Sequence, residues 1–136
     1  MSEEFILETE GITRHFPGVL ANDDVSIQIR EGEIHSIIGE NGAGKTTLMN
    51  IIYGIFRPDR GKIFYKGREV EINNPSTAIS LGIGMVHQHF MLVPPFTVWE
   101  NIILGREVLK RGVLDKDSVS EDLNKLMSDY RLSVPL

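Results

Sequence analysis

The sequence predicts an α/β fold in which an antiparallel β portion precedes a core of strand, glycine-rich loop and helix. Three observations predict it. Near the start, Val25, Ile27 and Ile29 alternate with Ser26, Gln28 and Arg30, the period of a strand with one buried face. Ile34 to Ile38 is then a short, mostly apolar run between the turn Glu31-Gly32 and Gly39, the pattern of a strand buried on both faces. From Lys45 onward, Leu48, Ile51 and Ile52 recur at helical spacing, and Gly54 stands where a left-handed residue would end that helix.

The remaining elements follow in order. Phe5 to Ile12 is followed in the opening β portion by Asp23 to Arg30. Pro58-Asp59-Arg60-Gly61 is turn chemistry, and Ile63 to Tyr65 and Glu69 to Ile72, separated by Lys66-Gly67, read as a hairpin. Asn74 caps a short helix that has Pro75 at its first position and Gly82 after its end. Ile83 to His87 reads as another buried strand, and Val93-Pro94-Pro95 as a loop. Thr97 with Glu100 makes a capping box for a helix ending near Gly105. In the last segment Val119, Leu123, Leu126, Met127 and Tyr130 share one helical face, and Ser133-Val134-Pro135 stops the helix.

Composition narrows the function. With 136 residues, 41% hydrophobic and 24% charged, the chain has the make-up of one globular domain. Fourteen basic against 19 acidic residues give a net charge of -5, so no basic field points to nucleic acid, and any phosphate must be held locally. The absence of cysteine removes disulfides, thiolate metal sites and cysteine nucleophiles, and fits a reducing compartment such as the cytosol. The N-terminus opens acidic, and no apolar run approaches the roughly 18 residues that span a bilayer.

The chemistry is concentrated in Gly39-Glu40-Asn41-Gly42-Ala43-Gly44-Lys45-Thr46, which matches the P-loop pattern G-x-x-x-x-G-K-[ST] between a predicted strand and a predicted helix. Glycines allow successive backbone N–H groups to converge on phosphate oxygens, and the positive end of the following helix adds to the field. On this reading Gly39, Asn41, Gly42, Ala43 and Gly44 belong to the cradle, and Lys45 supplies a cation for the β and γ phosphates. The Thr46 hydroxyl can ligate Mg²⁺, and Thr47 can add a phosphate contact. A GTPase would need N-K-x-D for guanine; Asn124-Lys125-Leu126-Met127 lacks the aspartate. A small-molecule kinase would usually begin almost directly with the loop strand, not with a β portion.

From about Phe5 to Tyr130 the sequence resembles the ATP-binding cassette family, the nucleotide-hydrolysing subunits of membrane transporters. Arg14-His15-Phe16-Pro17-Gly18-Val19 looks like that family's adenine-stacking loop, which implies that Phe16 stacks on the base. Met85-Val86-His87-Gln88-His89 resembles its glutamine loop, which implies that Gln88 reaches Mg²⁺ and the attacking water. The stretch Gly84 to Gly105, with Phe96-Thr97-Val98-Trp99-Glu100-Asn101, looks most like importers of simple sugars or nucleosides. The resemblance therefore implies ATP and Mg²⁺ as ligands, with Lys45 and Gln88 as catalytic groups. It also implies permease subunits and a second cassette as partners, and a place on the inner face of the cell membrane.

The family also has an L-S-G-G-Q-like signature, an apolar strand ending in Asp-Glu and a later switch histidine, none of which occurs before Leu136. The expectation is an N-terminal fragment with an incomplete P-loop NTPase core, the β portion and core over about 1–90 and the start of a helical region over about 97–136. The alternative is a nonhydrolytic nucleotide-binding or interaction module complete as it stands. Other readings remain open beside these: Phe16 as a core aromatic, Gln88 as a surface polar residue, and His87 with His89 as a metal pair lacking an evident third ligand.

Overall fold

The computed structural model describes residues 5–88, 92–105, 109–110 and 113–133. They fall into two compact units, Met1–Val86 and His87–Leu136. In the first, β1 (Phe5–Phe16) and β2 (Val19–Arg30) form an antiparallel hairpin turned at Pro17-Gly18. β3 (Arg60–Tyr65) pairs with the other edge of β1, and β4 (Arg68–Val70) pairs with β3. The sheet order is β2-β1-β3-β4, so the later hairpin extends the opening β portion as one antiparallel sheet. Val25, Ile27 and Ile29 are half-buried while Ser26, Gln28 and Arg30 face water, as the alternation predicts. Thr9 is buried among them; its hydroxyl donates to the Val25 carbonyl at 3.3 Å and accepts from the Ile27 N–H at 3.1 Å.

Helix α1 (Lys45–Ile52) buries Leu48, Ile51 and Ile52. They share one core with Ile12, Ile63, Ile72 and Ala78, the last from α2 (Pro75–Ser80). Gly54 follows α1 at φ 83°, and a Cβ there would lie 2.7 Å from the Asn74 backbone, so close approach and left-handed geometry both require glycine. Asn74 caps α2 as expected, accepting from the Thr77 N–H at 2.9 Å.

Two expectations fail. Neither 34–38 nor 83–87 is a strand, and Ile34, Ile38 and Val86 are 95%, 93% and 84% exposed. An apolar run becomes a doubly buried strand only when ladder partners flank it, and among the described residues no strand pairs with either segment. Ile83 and Met85 nevertheless remain half-buried between exposed neighbours, so the extended alternation survives without the ladder.

The second unit contains α3 (Val98–Ile103), the short hairpin of β5 (Leu109–Lys110) and β6 (Val113–Leu114), and α4 (Lys116–Tyr130). The capping box forms: Thr97 Oγ1 accepts from the Glu100 N–H at 3.2 Å and Glu100 Oε2 accepts from the Thr97 N–H at 2.8 Å. That backbone hydrogen bond from Thr97, then one from the Thr97 hydroxyl, holds the Glu100 carboxyl below its ordinary range. Val119 and Leu123 pack with Ile103, Trp99 and Leu114. Further along the same stripe, Leu126 and Tyr130 are exposed. Helix α4 stops at Arg131, which takes a left-handed conformation, ahead of the expected Pro135 stop, which lies outside the described residues.

Candidate phosphate-binding loop

Residues 39–44 carry the chain from an extended segment into α1, and the conformations demanded there explain the glycines. Gly42 and Gly44 have φ of 85° and 80°, both in the left-handed region. Gly44 is the N-cap of α1; no side chain caps the helix, and its first turn holds no acidic residue. The N–H groups and dipole at this end therefore have no side-chain cap or carboxylate of the first turn beside them. A Cβ on Gly44 would lie 2.0 Å from the Ala21 carbonyl oxygen, so β2 presses directly on the loop. Asn22, buried beside it, donates from Nδ2 to the Gly44 carbonyl at 3.2 Å.

Lys45 spans the loop. Its Nζ donates to the carbonyls of Gly39 and Glu40, both at 2.7 Å, which holds the ammonium at the loop's mouth. A second bond across the loop runs from the Ala43 N–H to the Glu40 carbonyl at 3.2 Å. Gly39, Asn41, Gly42, Ala43 and Thr46 are exposed, and Lys45 and Thr47 are half-buried, so the predicted cradle is continuous and open to solvent. Among the described residues no cluster of three His, Asp or Glu side chains could hold a metal alone. The available donor is a neutral hydroxyl on Thr46, which suits a cation that arrives with phosphates.

Phe16 closes β1, opposite Val19, in the same unit as the loop. Its ring meets Phe56 edge-on at a centroid distance of 5.2 Å, and the Arg14 guanidinium lies 5.0 Å over the Phe16 ring and 5.9 Å over Phe56. Asp59 braces this group from the turn before β3. Its carboxylate accepts from Arg14 at 2.8 Å and from the His15 N–H at 2.6 Å, with His15 Nδ1 at 3.1 Å. The His15 backbone bond, then its side chain, then Arg14, hold the Asp59 carboxyl below its ordinary value.

Gln88 belongs to the second unit, where its side chain is exposed at the end of the 83–88 segment. His89, the second member of the metal-pair reading, lies outside the described residues. Sequence reasoning missed two contributors. Asn22 reads as an ordinary strand residue and Asp59 as a turn former, because their partners lie 22 and 44 to 45 positions away. Within the second unit, Asn101 Nδ2 donates to the carbonyls of Val93, Phe96 and Thr97 and its Oδ1 accepts from the Val93 N–H, which ties the 93–97 loop to α3.

Comparison with known proteins places this geometry. A family profile described as ABC transporter matches residues 22–134. The chain is 49% identical over 131 residues to the guanosine import ATP-binding protein NupO of Bacillus subtilis (strain 168), covering 96% of this chain and 26% of that protein. It is 48% identical over 134 residues to the nucleoside import ATP-binding protein NupA of Lactococcus lactis subsp. cremoris (strain MG1363), covering 98% and 26%. Among solved structures, MJ1267, an ATP-binding cassette of an ABC transporter, superimposes with a TM-score of 0.78 at 28% identity, covering 94% of this chain and 55% of that one. The chain thus spans about a quarter of the length of the curated relatives it matches. With the P-loop and its helix inside the matched residues 22–134, the chain belongs to the ABC transporter family.

Proposed function

We propose that the chain binds MgATP, and that the whole subunit hydrolyses ATP to power import of a small solute of the nucleoside or simple-sugar type. The observation that carries this reading is Lys45, held at 2.7 Å from two loop carbonyls beside a helix terminus with no side-chain cap. A cation beside a helix N-terminus with no side-chain cap can serve as a receptor for the β and γ phosphates. Lys45 faces the terminal phosphates, Gly39, Asn41, Gly42, Ala43 and Gly44 supply the cradle, and Thr47 adds a contact. Thr46 and Gln88 would hold Mg²⁺, which when bound neutralises charge on the β and γ oxygens. Gln88 is also the residue assigned to orient the attacking water.

The import reading draws on NupO and NupA, which carry import functions in their names. It brings with it permease subunits and a second cassette as partners, and a location against the inner face of the membrane. No described helix is long and apolar enough to cross a membrane itself.

Phe16 is assigned to the adenine ring. Phe16→Ala is expected to weaken ATP binding by about 1 to 3 kcal/mol, the range for a base stacked on an aromatic side chain. Tripolyphosphate, which has no base, should bind both proteins alike in calorimetry. Equal losses for ATP and tripolyphosphate would make Phe16 structural.

A further inference from the structure

We propose that Asp59 is a positioning residue for adenine recognition, acting through Arg14 and His15 to set the Phe16 ring; the proposal rests on the adenine reading of Phe16. The β1–β2 ladder shifts register between Ile12 and Arg14 and again between Arg14 and His15, immediately before Phe16. Such irregularities re-aim the side chains beyond them and need a partner for the groups they free. Asp59 is that partner. Its carboxylate accepts from the His15 N–H at 2.6 Å, and its own N–H donates to the Thr13 carbonyl at 2.8 Å. The turn before β3 therefore grips the backbone on both sides of Arg14.

The same carboxylate fixes the ring's surroundings. Arg14 donates to Asp59 at 2.8 Å while its guanidinium lies over Phe16 and Phe56. The cation therefore lies over the Phe16 ring and limits where a base can stack on it. Arg14 and Asp59 side chains are 25% and 35% exposed, so the pair lies at the surface and its geometry rests on the several hydrogen bonds Asp59 makes at once. Without Asp59 the guanidinium loses its anchor, the His15 N–H loses its acceptor, and the ring is free to turn. Asp59, Arg14 and His15 reach the phosphate loop only indirectly, through Asn22, the ladder partner of Arg14, which donates to the Gly44 carbonyl at 3.2 Å, so the effect should fall chiefly on the base.

The test measures ATP and tripolyphosphate affinities by calorimetry for the chain and for Asp59→Ala, Asp59→Asn, Phe16→Ala and the Phe16→Ala/Asp59→Ala double variant. Asp59→Ala should lose about 5- to 20-fold in ATP affinity, part of the contribution of the stack, while tripolyphosphate changes by less than about twofold. Asp59→Asn keeps the side chain's size and one acceptor oxygen, so it should recover part of the loss, and it keeps the test intact if the alanine variant does not fold. In the Phe16→Ala background, Asp59→Ala should cost ATP nothing more. Three results overturn the proposal: unchanged ATP affinity in Asp59→Ala, equal loss for tripolyphosphate, or a further ATP loss in the double variant. Phe16→Ala alone separates the two ideas, because equal losses there for both ligands sink the adenine reading and the proposal with it, whereas a base-specific loss there leaves Asp59 to stand or fall on its own variants.

Discussion

Gly44→Ala should abolish MgATP binding and lower the midpoint of thermal unfolding by about 10 °C or more. Two costs coincide at this position. Left-handed backbone costs an L-residue about 1 to 2 kcal/mol, and φ here is 80°. The added methyl would also sit 2.0 Å from the Ala21 carbonyl oxygen and 2.8 Å from Asn22 Nδ2, so the backbone of β2 or the loop must shift. Overpacking of this kind costs a further 1 to 3 kcal/mol or so. Relief requires the loop to leave β2, which breaks the Asn22 hydrogen bond and displaces the first N–H groups of α1. Gly42→Ala provides the comparison: φ is 85°, but nothing lies within 4 Å of the added Cβ, so only the backbone term applies. Calorimetry with ATP and a thermal melt distinguish the two variants. A Gly44→Ala protein that melts and binds like the parent would show that the loop does not pack on β2 as described.

Lys45→Ala is expected to reduce ATP affinity by about 10- to 100-fold, the range for losing hydrogen bonds to a charged group. The side chain has two tasks in one place. It ties Gly39 to the first residue of α1 through bonds of 2.7 Å to the Gly39 and Glu40 carbonyls, and it brings a positive charge to the loop's mouth. The loss should be larger for ATP than for AMP, because the cation is assigned to the β and γ phosphates, which AMP lacks. Dissociation constants for ATP and AMP in the parent and variant test both statements. Equal ATP affinity in the two proteins would remove Lys45 from the site.

How much of this was legible in the sequence depended on how local the cause was. The helix start at Gly44-Lys45, the Asn74 cap and the Thr97 to Glu100 capping box are each written within a few residues, and each forms as the spacing implies. The runs at Ile34 to Ile38 and Ile83 to His87 have the residue types of buried strands, but a ladder depends on distant neighbours, and the described residues supply none. The fourth strand of the sheet joined through β3, whose register against β1 no local pattern encodes. Likewise Pro58-Asp59-Arg60-Gly61 announces a turn correctly and conceals that its aspartate clamps Arg14 and His15. The β5–β6 ladder has only two residues on each side, too few for alternation to register.

The central claim is that the loop from Gly39 to Thr47 is the anion receptor. Backbone amide resonances of the isotopically labelled chain, followed while MgATP and then tripolyphosphate are titrated in, test it residue by residue. Both ligands should move the amides of 41–47 most, and ATP alone should also move Phe16 and its neighbours. Saturable binding that leaves the amides of 41–47 unmoved would contradict it.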